Sequence, residues 1–180
     1  GPKGIGFAFV RKNSGLKSLI FGGSQERGLR AGTEGVHNIV GLETAIIYAY
    51  QHLESERSYV EGLKNYFISK IKQLIPEAKF NGSCSDAAKS TYTLVNVCLP
   101  IPTEKALMLL FQLDLKGIAC SKGSACQSGS DKGSHVLQEV LAKDDLAKPS
   151  VRFSFSKYNT KEEVDYTVAV LKEFIAAVPA

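Results

Sequence analysis

The sequence has no long apolar run, no block of like charges and no Cys-x-x-Cys pair, and each absence removes a class of function. Its longest mainly apolar stretches, such as Val168 to Val178, are broken by Lys172 and Glu173 and fall far short of the roughly 20 residues a membrane-spanning helix needs. Lysine and arginine number 22 against 18 acidic residues, a net charge of +4 spread along the chain, which is too mild to point to nucleic acid. Four cysteines, at 84, 98, 120 and 126, lack the dense spacing of a secreted disulfide framework, so a reducing cytoplasm is expected. Cys120, Cys126 and His135 are oddly spaced for zinc and have no fourth ligand, so no metal is expected. The start, Gly1-Pro2-Lys3-Gly4, carries no initiator methionine and no signal-peptide pattern, and reads as a chain entered in the middle. Internal repeats and low-complexity tracts are also missing.

What is present, 44% hydrophobic and 22% charged residues, suits a soluble globular fold. Ile5 to Val10 and Leu19 to Phe21 have the apolar, aromatic character of two short strands, followed by a glycine-rich loop from Gly22 to Gly35. Apolar residues from Ile39 to Leu74 recur at three- and four-residue steps until Pro76, which predicts one long connecting helix over 38–75. Beyond it, 76–180 reads as an α+β small domain: strands at 78–80, 91–99, 118–120 and 151–156, and helices near 104–115, from Ser134 and from Thr160. Thr103 and Gly117 mark the two ends of the second helix, and Thr160 with Glu163 forms a capping box. Strict alternation in Val151 to Ser156 turns Arg152 away from the apolar face.

Three places carry chemistry. In the loop 121–134, Cys126 sits among small polar residues, between Lys122 and Lys132 and just ahead of a helix N-terminus, surroundings that favour a thiolate nucleophile. The same loop also suits an inert cysteine. In Gly22 to Thr33, glycines allow close backbone approach while Arg27, Arg30 and the Thr33 hydroxyl offer phosphate partners; a solvated surface loop fits equally. Arg152 presents a planar fork suited to a carboxylate, or to a surface ion pair. His135 opens a helix and receives no role.

Taken in order, Gly1-Pro2-Lys3-Gly4-Ile5-Gly6, the segment Gly22-Gly23-x-Gln25-Glu26-Arg27-Gly28-x-Arg30-x-Gly32-Thr33, the loop Gly123-Ser124-Ala125-Cys126 and Val151-Arg152-Phe153-Ser154 with Thr160-x-Glu162-Glu163 resemble successive landmarks of the cysteine desulfurases, within the class V aminotransferase superfamily. The resemblance implies the C-terminal part of a fold-type-I transferase dependent on pyridoxal 5'-phosphate, with 1–37 a remnant of the large cofactor-binding domain. It implies a homodimer that converts L-cysteine to L-alanine and leaves sulfur as a persulfide on Cys126, for an acceptor such as an iron-sulfur scaffold. Arg152 would hold the substrate carboxylate, and Thr33 would reach the cofactor phosphate of the neighbouring subunit. The cofactor lysine of that family stands a few residues before the Gly-Pro-Lys-Gly segment. The chain by itself is therefore expected to hold no covalent cofactor and to be inactive. Cys120 stands where a small aliphatic residue is usual and Lys122 where serine is usual: Cys120 could serve as a second acceptor or resolving thiol, but its place in a short apolar strand better suits an inert, buried cysteine, and Lys122 is a cation able to lower the Cys126 pKa. Alternatives are another class V enzyme, an aminotransferase or a selenocysteine lyase, and a sulfur-carrying or binding module without catalysis.

Overall fold

The computed structural model describes residues 1–122 and 134–176, which group into two units, Gly1–Leu53 and Glu54–Ala180. In the first unit the expected strands at 5–10 and 19–21 run without a ladder. A strand persists only where a neighbour satisfies its N–H and C=O groups. The main-chain bond that ties this region together is from Ala31 N–H to the Ile20 carbonyl, at 3.2 Å. The side chains of Phe7, Phe9, Leu19 and Phe21 stay exposed. Helix α1 (Val36–Gln51) is the regular element of this unit. The first residues lie along it: a Cβ placed on Gly41 would stand 3.0 Å from Pro2 Cγ, and one on Gly1 would stand 3.2 Å from Ala45 Cβ. Gly41 and Ala45, four apart, share a helix face, so small residues there admit the N-terminal chain.

The single helix expected over 38–75 is two helices. His52 leaves the helical range at φ −111°, ψ 4°, and α2 (Leu53–Leu74) begins at once. No proline or glycine causes the break. Glu54 and Glu56 supply the negative charge that suits a fresh helix N-terminus. The two halves also differ in burial: α2 buries Val60, Leu63, Phe67, Ile68 and Ile71, whereas α1 buries no side chain.

In the second unit four strands, β1 (Lys79–Phe80), β2 (Leu94–Cys98), β3 (Ser121–Lys122) and β4 (Ser150–Ser154), form an antiparallel sheet in the order β1-β2-β4-β3. One face carries Val95, Val97, Val151 and Phe153 into the core, against Phe67 and Ile71 of α2, Leu109 and Leu113 of α3 (Thr103–Leu115), and Val164, Val168 and Leu171 of α6 (Lys161–Ala176). Each such side chain contributes roughly 1.5–3 kcal/mol by leaving water. Phe67 packs on Phe153 with ring centroids 5.0 Å apart.

Helix α3 starts one residue earlier than expected, with Pro102 rather than Thr103 in the cap position. Its end follows the glycine stop: Gly117, at φ 75°, donates to Asp114 O at 2.8 Å and Ile118 N–H to Leu113 O at 2.9 Å. This paired bonding satisfies two carbonyls of the last turn, and Ile118 and Leu113 are both buried beside it. It also explains why 118–120 is not a strand. The Ile118 amide is held by the helix it leaves, and pairing with β4 begins only at Ser121. The helix expected from Ser134 is short, α4 (His135–Val140), with Ser134 Oγ accepting from Leu137 N–H, and is followed by α5 (Lys143–Leu146). At α6 the expected reciprocal cap is present: Thr160 Oγ1 accepts from Glu163 N–H, and a Glu163 carboxylate oxygen accepts from Thr160 N–H.

Candidate functional site

The polar face of the sheet is built around Arg152. On β4 it stands opposite Asn96 of β2 and Ser121 of β3. Phe155 N–H bonds Thr93 O, so the odd-numbered residues of β4 turn their main chain toward β2 and Arg152 turns its own toward β3. Asn96 O in turn accepts from Asn81 N–H on the β1 side. Asn96 and Arg152 therefore form a non-hydrogen-bonded pair, the kind in which side chains approach most closely. Arg152 is half-buried, and among the described residues its guanidinium has no hydrogen-bond or ion-pair partner.

A buried amide network underlies this face. Asn81 Nδ2 donates to Asn96 Oδ1 and to Ser150 Oγ, both at 2.8 Å. The Cys84 thiol completes the setting, donating to Asn96 O at 3.3 Å, while Asn96 N–H reaches back to Cys84 Sγ at 3.5 Å. Sequence patterning had no access to this network, because Asn81, Asn96 and Ser150 meet only once the strand register is set. It also passed over Lys64, which lies within the apolar stripe of α2 yet is buried, its Nζ donating to Ser90 Oγ and Thr91 O at 2.7 Å. Beside the face, Asp145 of α5 pairs with Lys79 at 2.8 Å, which holds its carboxyl below the usual aspartate range.

Cys126 and its loop, 123–133, lie outside the described residues. The described ends of that loop are Lys122 on β3 and the Ser134 cap of α4. Burial, reinforced by the Asp114 charge, pushes the half-buried Cys120 thiol up to about 11, so at neutral pH it is protonated and a poor nucleophile. Burial likewise raises the Cys98 thiol.

Thr33 lies in the first unit, exposed, three residues before α1. The loop ahead of it is tied by its own side chains: Gly32 N–H bonds Gln25 Oε1 at 3.2 Å, and Arg30 reaches Gly32 O at 2.8 Å, Glu34 at 2.7 Å and Glu26 at 3.4 Å. Arg30 is thus engaged by two carboxylates, Glu26 and Glu34. Glu26 and Arg27 adopt left-handed φ of 49° and 58°, which turns the chain tightly before Gly28. The exposed Thr33 hydroxyl and the Arg27 cation are chemically suited to a phosphate. Among the described residues no cluster of His, Cys, Asp or Glu gathers to hold a metal ion, and no helix is long and apolar enough to cross a membrane. A cavity of about 250 Å³ between Ile118, Phe153, Phe155 and Val164 opens on the apolar side of the sheet, away from Arg152.

Comparison with known proteins places these features in context. The family model for class-V aminotransferases matches residues 1–167. The chain is 37% identical over 175 residues to the cysteine desulfurase IscS of Dictyoglomus turgidum, covering 97% of this chain and 43% of that relative. With the IscS of Pseudoalteromonas translucida it shares 36% over 177 residues, covering 97% and 42%. The chain thus spans less than half the length of the curated relatives it matches. Among solved structures, a NifS-like protein superimposes with a TM-score of 0.78 at 31% identity, covering 99% of this chain and 44% of that one. A NifS-like protein from Rickettsia africae shares the fold, with a TM-score of 0.70 at 24% identity, covering 90% and 40%.

Proposed function

The chain belongs to the class-V aminotransferase family, and from that premise we propose that the protein containing it is a cysteine desulfurase, converting L-cysteine to L-alanine with transfer of the sulfur to Cys126. The observation that carries the reading is the Arg152 fork on the polar sheet face, without a partner among the described residues and directly across from Ser121, from which the sequence runs on toward Cys126. A carboxylate-binding cation on β4 thus faces the strand, β3, from which the sequence continues toward a candidate thiolate nucleophile. The similarity to IscS over 97% of the chain supports the same reading.

In this reading Arg152 grips the substrate carboxylate through two parallel N–H donors, which fixes the amino acid in one orientation. Cys126 Sγ, as thiolate, attacks the substrate sulfur; the new S–S bond forms as the carbon–sulfur bond breaks, leaving a persulfide on Cys126 for an acceptor protein, such as an iron-sulfur scaffold. Cys120, held protonated by its surroundings, does not compete. Pyridoxal phosphate would supply the electron sink that permits carbon–sulfur cleavage. Thr33 would donate its hydroxyl to the phosphate of that group, across a homodimer, in a cytoplasmic enzyme.

The test is sulfide release from L-cysteine by the holoenzyme in the presence of a reductant. The wild type should release sulfide and Cys126→Ser should not, while Cys120→Ser keeps the activity. Equal release by wild type and Cys126→Ser would overturn the role of Cys126, and no release by the wild type would overturn the desulfurase assignment.

A further inference from the structure

Arg152 is not alone on its face. Asn96 stands directly opposite it in a non-hydrogen-bonded pair, and its amide is already oriented. Asn81 Nδ2 donates to Asn96 Oδ1 at 2.8 Å, which fixes the oxygen end of that amide toward β1. Asn81 is itself buried and held by its second bond to Ser150 Oγ, also at 2.8 Å, so it does not turn to release Asn96. The Asn96 backbone is pinned as well, by Asn81 N–H on its carbonyl and by the Cys84 thiol. What remains is the Nδ2 group, with two N–H donors and no partner among the described residues. It shares the half-buried polar face with a guanidinium that is also without one.

Two donors of this kind, one charged and one neutral, on adjacent strands at the closest side-chain spacing of a sheet, match a carboxylate: two oxygens and about four lone-pair sites, more than one fork fills. An asparagine clamped on its oxygen side presents its amide nitrogen as a preoriented donor. We propose that Asn96 Nδ2 is a second donor to the substrate carboxylate held by Arg152, and that Asn81 is the positioning residue that fixes the Asn96 amide. This inference rests on the desulfurase reading for the identity of the substrate, while the donor geometry itself belongs to the sheet.

The experiment is equilibrium binding of 3-mercaptopropionate to the holoenzyme containing this chain, by isothermal titration. That probe carries the thiol and carboxylate of the substrate and has no amine with which to react at the cofactor. Asn96→Ala should weaken binding about tenfold or more, the range of one hydrogen bond to a charged group. Asn96→Asp retains an acceptor for Asn81, and so the buried network, but sets a second carboxylate beside Arg152; it should weaken binding further with an unchanged thermal midpoint. Cysteamine, with thiol and amine but no carboxylate, should bind all three forms alike. In turnover, Asn96→Ala should raise KM for L-cysteine far more than it lowers kcat.

Unchanged 3-mercaptopropionate affinity in both Asn96 variants, with weaker binding in Arg152→Ala, overturns the role of Asn96 and leaves the desulfurase reading standing. Unchanged affinity in Arg152→Ala as well removes the carboxylate from this face and overturns both. A loss of cysteamine binding equal to the loss of 3-mercaptopropionate binding would mark Asn96 as structural and also overturn the inference.

Discussion

Cys120 lies six residues before Cys126 in the sequence, and its surroundings in the fold set its reactivity. Enclosure of the Cys120 sulfur disfavours the charged form, and the nearby Asp114 carboxylate adds to it, which takes the pKa to about 11. Iodoacetamide at pH 8 should therefore label Cys120 far more slowly than an exposed cysteine, with a rate that keeps climbing toward pH 11; a plateau below pH 9 would contradict the buried setting. The apolar neighbours of Cys120 in the sequence already suggested an unreactive thiol, whereas Asp114 is brought near by the fold and is not a sequence signal. Arg152 shows the same division. Alternation in Val151 to Ser156 was enough to put it on the polar face, because a period of two is a local property. Its neighbours Asn96 and Ser121 depend on strand register, which pairs residues far apart in the chain and leaves no trace in either segment. Arg152→Lys keeps the charge and loses the fork, so in the holoenzyme KM for L-cysteine should rise about tenfold or more. An unchanged KM would show that the fork makes no contact with substrate.

Among elements, those that carry their own ends were the most legible. The start of α6 was written in Thr160 and Glu163, and the stop of α3 in Gly117, since caps are chemistry between near neighbours. Gly117→Ala should cost about 1 kcal/mol in urea unfolding, because φ of 75° strains an L side chain while a Cβ there meets nothing within 4 Å. A change below a few tenths would mean the turn relaxes. Elements that depend on a partner were misread. The segments at 5–10 and 19–21 have strand composition, yet β structure is a pairing and composition names no partner. The apolar repeat through α1 and α2 gave one helix because it was continuous; nothing in the spacing distinguishes a stripe that is buried from one that is not. Lys64 is the complementary case, a charge inside a buried stripe that only its bonds to Ser90 and Thr91 explain. Lys64→Met, similar in length, should cost about 1–3 kcal/mol by leaving the Thr91 carbonyl without its donor.

The whole molecule divides its stability unevenly between its two units. Gly1–Leu53 has an α1 helix that buries no side chain, whereas Glu54–Ala180 holds the buried cluster around Phe67, Val97 and Leu171. Limited trypsin digestion should cut first at Arg11, Lys12, Lys17 or Arg27 and leave α2 and α6 intact; early cleavage within α6 would contradict this ordering. Acid should act through Asp145 and Asp165, whose carboxyls are held low chiefly by hydrogen bonds from Lys79 and Lys70. A depressed carboxyl stabilises above its unfolded value of about 3.9 and loses that contribution as pH falls through the folded value. The urea midpoint should accordingly gain no pH dependence from this pair between pH 5 and 8, and should fall below about pH 4, less so in Asp145→Asn. Exposure of both pairs keeps the effect small. The strand order β1-β2-β4-β3 also bears on how the molecule acquires its shape. β2 meets β4 only after the chain has passed through α3, β3, α4 and α5, so the central pairing is a long-range closure that refolding reaches after the local helices. Closure entropy grows only with the logarithm of the enclosed length, about 0.6 kcal/mol per doubling. Insertions between Lys122 and Ser134 should therefore slow refolding very little, which leaves the length of that loop open to evolutionary change.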